Sequence, residues 1–228
     1  MAEPRAEGSE LRLLRCGLRS LAEVELRAPE NQRLRLLHLH GNALVTVRGL
    51  DAVFCSLEEL TLSSNDLQDL EGIQGLQKLR LLDISCNCLS SLKGLESLRH
   101  LQELRAAYNQ ISQLSDLSSF AKPSQLRHLD LRDNAIEHLG QLLFLGGFPL
   151  EELRFQSGGG HRGNPICRLP GYRAAVLKAA PDLQKLDEEI LGVHERDELP
   201  PSAPMVLPEA WPPRIIPRDD QQEAWQTI

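Results

Sequence analysis

The chain has 228 residues, 41% apolar and 25% charged, a balance that excludes a wholly disordered protein and one dominated by membrane spans. Leucine fills 45 positions while aromatics make up only 4%, so the core must be built from one aliphatic side chain, the composition of a repeat. The formal charge of −7 is uneven: residues 1–187 carry 22 basic and 23 acidic side chains, and residues 188–228 carry 3 and 9. The body is neutral and the tail acidic.

Residues 1–10 read as a disordered lead. They are acidic where a secretory signal is basic, and no apolar core follows. No apolar run approaches the ~18 residues of a membrane span, so a soluble, cytoplasmic chain without membrane insertion is expected. The five cysteines, Cys16, Cys55, Cys86, Cys88 and Cys167, are scattered through the apolar pattern and read as free thiols.

Leu11, Leu14, Leu18 and Leu21 form a degenerate opening turn. From there L-x-x-L-x-L-x-x-N-x-L recurs in register at Leu34-Leu37-Leu39-Asn42-Leu44, Leu57-Leu60-Leu62-Asn65-Leu67, Leu79-Leu82-Ile84-Asn87-Leu89, Leu101-Leu104-Ala106-Asn109-Ile111 and Leu126-Leu129-Leu131-Asn134-Ile136. The asparagines are 23, 22, 22 and 25 residues apart. A partial sixth copy (Leu150, Leu153, Phe155) reaches Asn164 only after a glycine-rich insertion at 158–163. In each copy a short strand alternates faces, and the following Asn bonds backbone that would otherwise be buried unpaired. One copy cannot bury both edges of its slab, so neighbours must stack. The pattern predicts an α/β leucine-rich repeat fold over residues 11–163: a right-handed solenoid with a curved parallel sheet on its concave face and short helical or 3-10 returns on its convex face. Asn42, Asn65, Asn87, Asn109, Asn134 and Asn164 are its expected ladder.

Residues 164–187 read as a C-terminal helical cap. Pro165 follows the last ladder residue, Pro170 and Gly171 open a helix with Tyr172 on its apolar face, Pro181 stops it, and Leu183 and Leu186 supply a last short strand. Repeats of this length with Gly-Leu or Gly-Ile in the return half resemble the short intracellular subclass first associated with a phosphatase regulator. The run Asn164-Pro-Ile-Cys-Arg-Leu-Pro-Gly-Tyr-Arg-Ala174, with Leu39-His-Gly-Asn42 and the insertion, resembles the N-terminal domain of the leucine-rich repeat and coiled-coil centrosomal proteins. That resemblance implies an adaptor of the centrosome, spindle pole or basal body. Those proteins continue into a coiled coil, whereas no sustained heptad follows Asp187. A monomer, either a short or incomplete product or a relative that lost the coiled coil, is the resulting expectation.

Residues 188–228 hold nine acids, and seven of the 14 prolines fall after position 195. They read as a disordered tail in which Val206-Leu207 or Trp211-Pro-Pro-Arg-Ile-Ile is a candidate docking motif.

Catalytic, phosphate-binding and metalloprotease motifs do not occur, so neither an enzyme nor a cofactor is expected. His38 and His40 share a strand face, an H-x-H arrangement able to hold a metal; with no third ligand predicted beside them other than Glu59 on the next strand, surface polar contacts are the better reading. Nucleic acid is disfavoured by the neutral body. What remains is a protein-binding face. Its expected residues are His38, His40, Glu59, Asp83, Glu103, Arg105, His128, Asp130, Arg132 and Arg154, with Tyr108 at the rim; Tyr and Arg are the expected anchors. The function implied is a non-catalytic scaffold supporting centrosome integrity, cell division or ciliogenesis; the alternative is a regulatory subunit that binds a phosphatase or other enzyme through the same concavity.

Overall fold

A computed structural model describes residues 6–7, 9–21, 33–120, 124–157 and 163–192. Among the described residues ten short strands form one sheet in sequence order: β1 (Ala6–Glu7), β2 (Glu10–Arg12), β3 (Leu36–His38), β4 (Glu59–Thr61), β5 (Leu81–Asp83), β6 (Glu103–Arg105), β7 (His128–Asp130), β8 (Glu152–Arg154), β9 (Lys185–Leu186) and β10 (Glu189–Ile190). From β2 to β9 each strand pairs in parallel with the next, and every pairing sets the central leucines opposite each other, from Leu11 on Leu37 through to Leu153 on Leu186. The middle residue of each strand is buried and its two neighbours face outward, as alternation requires. The leucines that open each repeat and the apolar residues of the returns close the same core from the other side.

The asparagine ladder runs as the spacing predicts. Asn87 Nδ2 donates to Ile84 O in its own repeat and to Leu62 O in the one before, at 2.9 and 3.1 Å, while its Oδ1 accepts from Leu67 N at 3.0 Å. Asn42, Asn65, Asn109, Asn134 and Asn164 repeat the scheme. Each amide therefore serves the repeat that precedes it. In the first described repeat the ladder position is held by Cys16, whose backbone N–H donates to Asn42 Oδ1 at 2.9 Å.

That register corrects the opening turn. Leu11 and Leu13 are the buried pair of the first repeat, and Leu14 is 48% exposed. The lead and the end of the cap are corrected as well. Ala6–Glu7 pairs antiparallel with Glu10–Leu11, so residues 6–7 and Glu10 belong to the sheet, and Glu189–Ile190 folds back antiparallel on Lys185–Leu186, so order passes residue 187. Both ends of the parallel stack are thus covered by a hairpin strand, which occupies an edge that stacking leaves open.

The returns contain little helix. A four-residue helical turn at Leu50–Val53 and 3-10 segments at Ser115–Ser119 and Leu139–Leu145 are joined elsewhere by turns. Gly72 shows why a glycine recurs there: its φ is +101°, and a Cβ would lie 2.6 Å from both Arg48 Cα and Val47 O of the preceding return. A side chain at this point would push the returns apart.

The cap helix spans Tyr172–Ala179 behind a 3-10 turn at Pro165–Arg168. Tyr172 packs edge-on to Phe155 with ring centres 6.1 Å apart, and its hydroxyl donates to Asp187 Oδ2 at 2.8 Å. Leu183 and Leu186 are buried. The tail from 193 onward, the candidate docking motifs in it, residues 1–5 and insertion residues 158–162 lie outside the described residues.

Candidate functional site

Two rows of side chains run across the strands of the concave face. The first, at the strand starts, reads Glu10, Leu36, Glu59, Leu81, Glu103, His128, Glu152, Lys185; the second reads Arg12, His38, Thr61, Asp83, Arg105, Asp130, Arg154. Ser63, Ser85 and Arg132 continue the face beyond the strands. The structure thus brings together His38, His40, Glu59, Asp83, Glu103, Arg105, His128, Asp130, Arg132 and Arg154. Tyr108 sits beyond them in the left-handed turn before Asn109, with φ +56° and 45% exposure.

Most charges on this face are paired in place. Glu-Leu-Arg occurs on β2, β6 and β8, and alternation puts its Glu and Arg on one face two residues apart. Arg12, Arg105 and Arg154 each donate through Nε at 2.6 Å to Glu10, Glu103 and Glu152. The Arg12 hydrogen bond holds the Glu10 carboxyl below its ordinary range. At Glu152 burial pushes the other way, but Arg154 and Lys185, the latter 3.1 Å away, outweigh it and the carboxyl stays low. Arg132 grips Asp130 through Nε and Nη2 and reaches Glu188 at 3.2 Å, and the bond to Asp130 raises its already high pKa. With only 21% of its side chain exposed, Arg132 ties the last repeats to the cap hairpin as well as facing the concavity.

His38 and His40 are also engaged. His38 Nδ1 lies 3.0 Å from Thr61 Oγ1 and its Nε2 is 3.0 Å from Glu10 Oε1; His40 Nδ1 lies 2.9 Å from Ser63 Oγ. Neither nitrogen of His38 is left to bind a metal. Among the described residues no group of three or more His, Cys, Asp or Glu is arranged to hold an ion, and no helix is long and apolar enough to cross a membrane.

The face extends one strand further at each end than the motif spacing indicates, through Glu10 and Arg12 on β2 and Lys185 on β9. The available signal was the Glu-Leu-Arg tripeptide itself, present at 10–12 as at 103–105 and 152–154. Between the two Glu-Arg walls of β6 and β8, the shorter His128 and Asp130 leave a depression of about 390 Å³ floored by Leu104 and Leu129. It offers mixed charge and hydrogen bonds, with no nucleophile, base and oxyanion donors converging as an acyl-transfer site requires.

Three-residue strands in parallel register, returns with little helix and a shared asparagine ladder define a leucine-rich repeat fold. The leucine rich repeat family model matches residues 55–111. Over 65 residues the chain is 42% identical to leucine-rich repeat and coiled-coil domain-containing protein 1 of Homo sapiens, and equally to that of Mus musculus; the match covers 28% of this chain and 6% of each relative. The chain therefore spans only a small part of the length of the relatives it matches. An internalin from Listeria monocytogenes, known from its crystal structure, shares the fold with a TM-score of 0.55 at 22% identity, covering 72% of this chain and 44% of its own.

Proposed function

We propose that this chain is a non-catalytic scaffold that binds a protein partner across its concave face and acts at the centrosome, spindle pole or ciliary basal body. The observation that carries the binding role is the pair of side-chain rows, fixed by hydrogen bonds on an eight-strand parallel face. Side chains already held in one geometry lose little freedom on docking, which is what separates a recognition surface from an ordinary solvated sheet. The cellular location rests on the resemblance of the run 164–174 and of Leu39–Asn42 to centrosomal leucine-rich repeat proteins.

Imaging the tagged chain at endogenous level beside a centriole marker tests the location. A focus at centrioles in cycling and ciliated cells is expected, and it should disperse when Arg105→Glu and Arg154→Glu are combined in a chain that still melts cooperatively. A diffuse signal from the unaltered chain would overturn the location; a focus that survives the double substitution would move binding off this face.

A further inference from the structure

We propose that the concave face over β3 to β5 receives an amphipathic helix of the partner, with a Lys or Arg of that helix seated on Glu59 and apolar side chains on Leu36 and Leu81. This rests on the concave-face reading above and adds the chemistry of the occupant.

The first row places a glutamate on every second strand: Glu10, Glu59, Glu103 and Glu152. Three of them are neutralised by the arginine two residues later. At Glu59 that position is Thr61, whose hydroxyl is engaged by His38. Glu59 makes no ion pair or side-chain hydrogen bond among the described residues, although it is half-buried. Its lateral neighbours in the register are Leu36 and Leu81, also half-buried, so a carboxylate sits between two apolar side chains. Asp83, diagonally across on β5 and beside Arg105 in the register, accepts from Ser85 N at 3.0 Å through Oδ1 and makes no ion pair among the described residues. A partly desolvated carboxylate is stabilised by a cation brought to it, and apolar neighbours exclude the water that would weaken the pair.

The spacing selects the shape of the partner. Adjacent strands lie about 4.8 Å apart, which an α-helix rising ~1.5 Å per residue covers in about three residues and doubles in six to seven. Side chains at i, i+3 and i+7 of a helix laid across the strands form one stripe and fall in step with Leu36, Glu59 and Leu81. An extended peptide, whose same-face side chains recur every ~6.6 Å, falls out of step at once. The complementary sequence is apolar-x-x-[Lys/Arg]-x-x-x-apolar.

The test is selection from a phage-displayed library of 18-residue helices, randomised on one face, against the immobilised full chain. Enrichment of a basic residue between apolar residues at this spacing is expected, and the selected peptides should lose about tenfold in affinity on Glu59→Gln, a change that keeps shape and melting temperature, while convex-side Lys93→Ala changes nothing. Selected helices without a basic residue, affinity indifferent to Glu59→Gln, or no enrichment of helices would overturn the proposal. Peptides that ignore Glu59→Gln but are lost on Arg154→Ala would overturn it while leaving the concave face as the binding surface; peptides sensitive to neither would sink both.

Discussion

The middle of the ladder and its C-terminal end solve the same problem with different chemistry. In mid-stack Asn87 both accepts and donates, so it can bridge two repeats. At the end Asp187 only accepts: it takes Phe155 N at 2.7 Å, Gln156 N at 3.1 Å, Gln156 Nε2 at 3.1 Å and the Tyr172 hydroxyl at 2.8 Å. A carboxylate has no proton with which to continue the ladder, so it terminates it, and the cap tyrosine uses the remaining lone pair. The repeat is propagated by an amide and stopped by an acid.

The comparison can be broken most violently from inside. Leu82 has no exposure, and Leu82→Asp would bury an unpaired charge between two repeats; a loss of more than about 4 kcal/mol, seen as loss of the cooperative melt by circular dichroism, is expected. Asn87→Ala leaves Leu67 N, Leu62 O and Ile84 O to find other partners and should cost about 3 kcal/mol in denaturant titration. Tyr172→Phe removes one bond at a terminus and should cost about 1 kcal/mol. Equal effects from Asn87→Ala and Tyr172→Phe would contradict the distinction between propagating and terminating positions.

Thiol labelling sharpens the contrast without mutation. Cys16, Cys55, Cys86 and Cys88 are exposed, whereas Cys167 is partly covered by the cap. Burial first, then the Asp187 charge, pushes the Cys167 thiol from 9.0 up to about 11. Its thiolate fraction at neutral pH falls roughly a hundredfold, so four thiols should react with a disulfide reagent before the fifth, which becomes reactive when the cap opens. The smallest effect is expected at the surface: Arg105, with 47% of its side chain exposed, should cost under about 1 kcal/mol when replaced by Ala, while weaker partner binding is the outcome the proposed concave-face reading predicts.

The fold was legible because leucine and asparagine recur with the period of the structure, and burial follows directly from that period. Where the period stops, legibility stops with it. Cys16 occupies a ladder position without looking like one, since an end residue is spared the donations an amide makes, and the opening leucines were consequently read one residue out at Leu14. The hairpin strands at Ala6–Glu7 and Glu189–Ile190 carry two residues each, too few for any pattern. For the site, alternation sets which strand residues share the outward face. Which of their charges are already satisfied depends on the residue two positions on and on the next strand. Glu103 is paired by Arg105, whereas the same position after Glu59 is Thr61, engaged by His38 of the neighbouring strand.

The direction in which the ladder amides point gives the molecule a polarity in time. A ribosome delivers the repeats from the N-terminus, yet each turn waits for the asparagine of the next to satisfy Leu44 N, Leu67 N, Leu89 N and Ile111 N. A nascent solenoid therefore always carries one unfinished turn at its growing end, and only the arrival of Asp187 and its tyrosine completes the last one.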